Sequence, residues 1–321
     1  MLKYTYSGIN TIDLNFYTMR RFFAFAAILI GFVACQNDAE RMDVTVGDLE
    51  VKVAVTVPES RAGSDKGIFQ SGLLNSDSLT MRYILQIYYT DPETNTSIDP
   101  IRLVEYSDDK GVVFEVRLAP GRDYKFVAWA DVVDVVDVVN GVYGDDKHYN
   151  TKNFDQITII DEEWNAMDET RDAYTAADYV LNFNSASTIS LSLRRPNAKL
   201  RVVTTDWADD AAAEVTVTYT TPHRTTFNAL TGLFGDATTP TKEHTYTLSN
   251  VYNESSDRTI FSDYFFAGDN DNVKFDMVVK NGSEVMNHQF NTEISVNSNY
   301  LTTIKGKLLT GGSSSNESQE L

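Results

Sequence analysis

Residues 49–57 read Leu49-Glu50-Val51-Lys52-Val53-Ala54-Val55-Thr56-Val57. Every odd position is apolar and branched, and the even positions are Glu, Lys, Ala and Thr. Successive side chains of an extended chain point to opposite faces, so this period of two predicts a half-buried strand. Val51, Val53, Val55 and Val57 form its buried set. Pro58 ends it, because proline has no N–H to donate to a ladder.

The signature recurs along the chain. Met81–Thr90, Ile101–Tyr106, Val112–Leu118 and Tyr124–Ala130 are strand-like runs. Asp91-Pro92, Asp108-Asp109-Lys110-Gly111 and Pro120-Gly121 supply turns between them. Ile157–Ile160, Val180–Phe183 and Thr188–Leu193 continue the series, whereas residues 161–179 lack alternation and are expected to hold a helical turn and loops. Arg194-Arg195-Pro196-Asn197 interrupts the pattern. A second series follows in Ala198–Thr205, Glu214–Thr221, His244–Leu248, Thr259–Phe266, Val273–Lys280 and Tyr300–Leu309. Many short strands with little helix predict an all-β chain of two β-sandwiches, 47–195 and 196–310, with the boundary near Pro196. Residues 311–321 (GGSSSNESQEL) have the composition of a flexible tail.

Upstream of the first strand, Arg20 and Arg21 precede an apolar run from Phe22 to Val33, then Ala34, Cys35 and the polar Gln36-Asn37-Asp38. Charge, apolar core and small residue in that order make a secretion leader over residues 1–34. The run is shorter than the roughly 20 apolar residues a membrane-spanning helix needs. The residues before Met19 fit no leader pattern, which makes Met19 the candidate true start. Cys35 is the sole cysteine of the 321 residues. A lone thiol in an exported chain closes no internal disulfide. Phe32-Val33-Ala34-Cys35 resembles a bacterial lipobox, with Phe32 where Leu is usual. That resemblance implies acylation of Cys35, with residues 35–46 as a tether. Each buried CH₂ of an acyl chain contributes about 0.8 kcal/mol to membrane attachment. An ordinary secretion signal with an incidental cysteine is the other reading.

The chain carries 46 acidic against 27 basic residues, a net charge of −19. Loss of residues 1–34 removes Lys3, Arg20 and Arg21 against Asp13 and takes this to about −21. Such a surface repels nucleic acid and anionic lipid head groups. No GxGxxG, P-loop, GxSxG or HExxH pattern occurs, and the four histidines (His148, His223, His244, His288) are far apart. No cofactor or metal is therefore expected. Asp131, Asp134 and Asp137 in Ala130–Asn140 would share a helix face and could hold Ca²⁺, but the valines between them favour a strand, which scatters them. A solvated loop extension is expected there. Gly268-Asp269-Asn270-Asp271-Asn272 begins like a calcium loop, lacks its glycine and has Lys280 in place of its closing Glu, so a turn is expected. Glu162, Glu163, Asp168 and Glu169 could supply a glycosidase pair, without specific spacing. Trp129, Trp164 and Trp207 could stack on sugar, although Trp129 reads as core. A non-enzymatic protein is expected.

Several segments together resemble the fimbrillin-like proteins of Bacteroidetes-type pili. They are the lipobox at Cys35, the stretch Thr56-Val57-Pro58-Glu59-Ser60-Arg61-Ala62, the segment Tyr124–Asp131, the run Arg195-Pro196-Asn197-Ala198-Lys199-Leu200, and Asn299–Thr310. The resemblance implies two tandem transthyretin-like β-sandwich domains of Greek-key type. It implies an outer-membrane, cell-surface lipoprotein that an Arg-specific protease cuts after the first strand. A neighbouring subunit then fills the vacated position. Arg61, beside Gly63, Ser64 and Asp65, is the processing candidate; an exposed loop arginine is the alternative. Tyr300, Ile304 and Leu308 form the candidate donor face, unless that strand closes its own domain. The implied partners are other pilus subunits or copies of the chain, outer-membrane lipid through the acyl chains, and a host or bacterial surface ligand. A surface-anchored glycan-binding protein is the second functional reading.

Overall fold

The computed structural model describes residues 49–58, 68, 73–75, 78–90, 99–137, 139–160, 167–207, 213–237, 243–248, 257–269, 271–310 and 317–320. The leader, the tether with Cys35, and Arg61 lie outside them. The first ten strands are β1 (Leu49–Thr56), β2 (Leu79–Tyr89), β3 (Ile101–Ser107), β4 (Gly111–Leu118), β5 (Arg122–Asp137), β6 (Val142–Tyr143), β7 (Tyr149–Asn150), β8 (Ile157–Ile159), β9 (Ala173–Phe183) and β10 (Ser187–Ser192). They form a three-stranded sheet, β10-β1-β4, and a five-stranded sheet, β3-β2-β5-β6, with β9 also paired to β5. The valines of β1 enter one core with Met81, Tyr83, Leu85 and Ile87 of β2 and Tyr124, Phe126 and Ala128 of β5.

The remaining strands are β11 (Asn197–Thr204), β12 (Ala213–Tyr219), β13 (Thr226–Asn228), β14 (Leu233–Phe234), β15 (Glu243–Leu248), β16 (Arg258–Phe266), β17 (Asp271–Asn281), β18 (Glu284–Val296), β19 (Leu301–Gly306) and β20 (Glu317–Glu320). Two four-stranded sheets, β16-β11-β19-β20 and β15-β12-β17-β18, share a second core. A small antiparallel sheet, β14-β13-β8-β7, joins chain segments from both sides of Pro196. The chain is thus all-β, and Val44–Leu321 is one compact unit.

The two cores meet through β2 and β5, which bury both faces. Met81, Tyr83 and Leu85 face the first core, while Ile84, Val127 and Trp129 belong to the second. Trp129 is 0% exposed and lies against Tyr149 and Phe227. Three stretches depart from expectation. β5 continues to Asp137, so the expected loop extension is strand. Its carboxylates are scattered: Asp131 binds Arg82 at 2.7 Å, Asp134 binds Lys147 at 2.7 Å, and Asp137 accepts the N–H groups of Val139 and Asn140. β9 begins at Ala173, inside the stretch expected to be turns and loops; Ala173 faces one core and Tyr174 the other, which removes the alternation. Within the expected tail, Glu317–Glu320 pairs with β19 as β20.

Around Pro196 the buried side chains are polar and bonded. Arg195 Nε donates to Asp172 at 2.7 Å, and both side chains are buried. Tyr174 Oη donates to the same carboxylate at 2.6 Å, and the guanidinium lies over its ring. Asn197 donates to the Arg171 carbonyl and to Tyr149 Oη. Lys199 reaches Glu169 at 2.7 Å, which also accepts from Tyr264 Oη. Backbone bonds join Arg194 and Thr175 in both directions. Removing one partner of a buried ion pair leaves an uncompensated charge, a loss of about 3–5 kcal/mol. Arg195→Ala should therefore lower the unfolding free energy in urea by about that amount, whereas Arg195→Met combined with Asp172→Leu should recover most of it.

Candidate functional site

β1 lies between two strands that are not paired with each other. It runs parallel to β10, with Val51 opposite Ser187 and Thr56 opposite Ser192. It runs antiparallel to β4, with Leu49 opposite Leu118 and Thr56 opposite Gly111. Val51, Val53 and Val55 are 0% exposed, and Val57 is 5% exposed. Paired strands lie about 4.8 Å apart, so without β1 its neighbours would stand about 10 Å apart, too far to pair. The vacated position would be a trough between Ile189 and Leu191 on one wall and Phe114 and Val116 on the other. Four valines at roughly 1.5–3 kcal/mol each make its refilling worth several kcal/mol. The unpaired backbone groups on both walls add to the cost of leaving it empty.

Glycine at 111 is needed for this fit. A Cβ there would lie 2.5 Å from the Val55 carbonyl oxygen and 3.2 Å from Thr56 Cγ2. Gly111 opens β4 opposite the last residue of β1, so it sets how closely an occupant of the central position approaches.

The candidate donor residues sit in a different sheet. Tyr300 precedes β19 and is 39% exposed. Ile304 lies within β19, opposite Val202 of β11 and Glu317 of β20. Leu308 is buried in the second core. Beyond β19 the chain is held by Asp206, whose carboxylate accepts the N–H groups of Leu308 (3.0 Å), Leu309 (3.2 Å) and Thr310 (2.9 Å). It also accepts the hydroxyls of Thr204 and Thr310. Partial burial pushes this carboxyl up, but the hydrogen bonds outweigh burial and hold it below the ordinary carboxylate range. Neither Gly111 nor Asp206 carries a motif. An Asp at the end of a strand-like run, 102 residues from Leu308, gives no local signal.

Among the described residues no group of three or more His, Cys, Asp or Glu is placed to hold a metal ion. His148 is buried with Nε2 2.6 Å from Thr170 Oγ1, and burial pushes it down to about 4. Asp168 caps the short turn Glu169–Arg171, and Glu169 is engaged with Lys199; Glu162, Glu163 and Trp164 lie outside the described residues. Asp271 binds Arg224 at 2.6 Å and accepts the Gly268 N–H, forming a turn. No described helix is long and apolar enough to cross a membrane.

A model of a family of unknown function (DUF6562) matches residues 41–318. No protein of curated function matches the chain. Among solved structures, it is similar to a candidate cell adhesion protein from Bacteroides ovatus at 12% identity, covering 84% of this chain and 95% of that one, with a TM-score of 0.49. It is also similar to the C-terminally truncated tip fimbrial protein Mfa3 from Porphyromonas gingivalis at 12% identity, covering 84% and 99%, with a TM-score of 0.44. A fimbrial assembly protein from Parabacteroides distasonis is 11% identical over 81% and 91%, with a TM-score of 0.38.

Two measurements check the geometry. Gly111→Ala should cost about 1–3 kcal/mol through overpacking and should speed hydrogen exchange in β1 more than in β11. A carboxyl held below its unfolded value stabilises above that value and loses the contribution as pH falls through its folded one. Protection of the Leu308–Thr310 amides should therefore fade below about pH 4, and Asp206→Ala should abolish that protection already at neutral pH.

Proposed function

This chain belongs to the family of unknown function (DUF6562), and for it we propose a non-enzymatic cell-surface lipoprotein that serves adhesion as a pilus subunit or accessory. The observation that carries the reading is the setting of β1, the first described strand, whose removal would open an apolar trough with two unpaired walls. A strand added to such a trough regains the ladder on both sides and buries its alternate side chains, the general mode of β-strand addition. The lipobox-like Phe32–Cys35 supplies the attachment to outer-membrane lipid, and Arg61 the point at which β1 is separated from the rest. The partners are other pilus subunits or copies of this chain.

Donation by the face Tyr300, Ile304 and Leu308 competes with bonds already made. β19 pairs with β11 over six positions, and Asp206 grips the segment behind it. The acceptor half of the exchange thus draws more support from the geometry than the donor half. The second reading, glycan binding at the surface, draws on one exposed feature: the rings of Tyr106 and Tyr143 stack 3.9 Å apart with Tyr143 partly exposed.

An Arg-specific protease applied to the isolated protein should produce a new amino end at Ala62 and a ladder of SDS-resistant oligomers. Mass spectrometry of the native amino terminus should show an acylated Cys35. Cleavage at Arg61 that leaves only monomer, together with retention on a polysaccharide gel, would replace the first reading by the second.

A further inference from the structure

The strand order between Leu49 and Thr310 bears on how the chain carries tension, a matter beyond the adhesive role that rests on neither strand exchange nor acylation. The starting observation is a repeated strand order. In the first sandwich, β1 lies between β10, its parallel partner, and β4, its antiparallel partner. In the second, β11 lies between β19, parallel, and β16, antiparallel. In each case the first long strand of the series pairs in parallel with a late one, over six positions.

Parallel pairing decides how a pull is borne. A force on the amino end of the chain enters β1 at Leu49. The chain leaves β10 at Ser192, at the opposite end of the pair, because Thr56 lies opposite Ser192. Over seven residues the two attachment points are separated by about 23 Å along the strands, against about 4.8 Å across them. The load is therefore directed along the strands, and every paired position resists together. The same holds for the next pair. Force enters β11 at Asn197 and, when drawn from the segment just after β19, leaves at Gly306, which lies opposite Thr204; β20, antiparallel on β19 with Glu320 opposite Leu301, lies beyond that segment and opens first under a pull on its own end. An antiparallel pair of terminal strands joined at one end would instead open rung by rung.

The points where load passes into and out of these pairs are fastened. Between the two pairs stand the Arg195–Asp172 ion pair, the two-way backbone bonds of Arg194 and Thr175, and the bond from Leu193 N to the Thr56 carbonyl. After the second pair, the Asp206 carboxylate holds three successive backbone N–H groups, at Leu308, Leu309 and Thr310. We propose that these elements form a tension-bearing line through the molecule: two shear-loaded parallel strand pairs in series, with a buried ionic joint between them and a carboxylate clamp at the exit.

Single-molecule pulling on the full chain carrying Cys35→Ser tests this. With handles at Asp48→Cys and Gly311→Cys, both parallel pairs are loaded in shear. With handles at Asp48→Cys and Ser185→Cys, the two attachment points lie at the same end of the β1–β10 pair, which must peel. Forced rupture reports the unfolding rate in each direction on one folded protein, so a folding defect would show in both. The expected result is a first rupture force severalfold higher in the first geometry, with about sixfold as the ceiling when six paired positions share the load. Equal rupture forces in the two geometries, or a first rupture of the 48–311 pull at the peeling force, would overturn the proposal. Acylation and oligomer formation have separate readouts, so the lipoprotein and exchange readings stand or fall independently of this one.

Discussion

The first core depends on a single strand having a partner on each side. β10 and β4 pair with β1 and not with each other, so the three-stranded sheet has no two-stranded remnant to fall back on. The hydrophobic contribution is tied to the same geometry. Val51, Val53 and Val55 supply the middle row of the inner face, over Tyr83 and Leu85 of the opposing sheet. An edge strand could be lost with one ladder broken. Loss of this one breaks two and bares the floor of a core. That makes β1 a point of leverage: whatever removes or pulls it acts on the whole of the first sandwich.

Around Pro196 the physics is of a different kind. The ordinary solution for joining two β-sandwiches is an exposed linker, with independent motion of the two bodies as the default. Here only four residues separate β10 from β11, and the first residues of β11 have both faces covered. Polar side chains in such a place must be bonded. Arg195 and Asn197 find buried acceptors on Asp172 and Arg171, and Lys199 a partly exposed one on Glu169. All three acceptors lie in the short stretch 169–172. The joint is therefore one turn of chain folded against the start of one strand, and a shift of either would leave several buried polar groups unmet. β8 and β13 add backbone pairing between the two parts of the chain. Arg195-Pro196-Asn197-Ala198-Lys199-Leu200, one of the segments on which the resemblance rests, thus supplies three buried polar side chains of the joint.

Legibility in the sequence followed burial. Strands with one wet face were readable by period two: β1, β4, β12 and β17 alternate plainly. Strands with two buried faces, or with polar residues at the alternate positions, were not. Ala173-Tyr174-Thr175 of β9 has no wet face to alternate with. β18 carries Asn287, His288 and Gln289 along its length and passed unmarked, although Ile294 and Val296 are buried. The carboxylates of β5 illustrate the same limit. A buried Asp131 was visible only once Arg82 was known to lie opposite it, 49 residues away. Of the candidate site, the valine face could be read from spacing alone, because a strand's periodicity is local. Gly111 and Asp206 could not, since each matters through a backbone that arrives from elsewhere in the chain.

The repeated order of strands gives the reason why the proposed exchange concerns β1 and not its counterpart. β11 has the same surroundings as β1: a parallel partner on one side, an antiparallel one on the other, and apolar side chains directed into a core. Their difference is covalent. β11 is continuous with folded chain at both ends, through the joint before it and the segment to β12 after it. Two cuts would be needed to release it, and its first residues would still be held by Asp172, Arg171 and Glu169. Among the described residues, folded structure adjoins β1 only on its carboxyl side, so a single cut in residues 59–67 parts it from every other described strand. What remains to hold β1 is then noncovalent, two ladders and four valines. A strand of similar pattern at high local concentration can compete with it on those terms, and the depth of the trough decides the competition rather than the chain's connectivity.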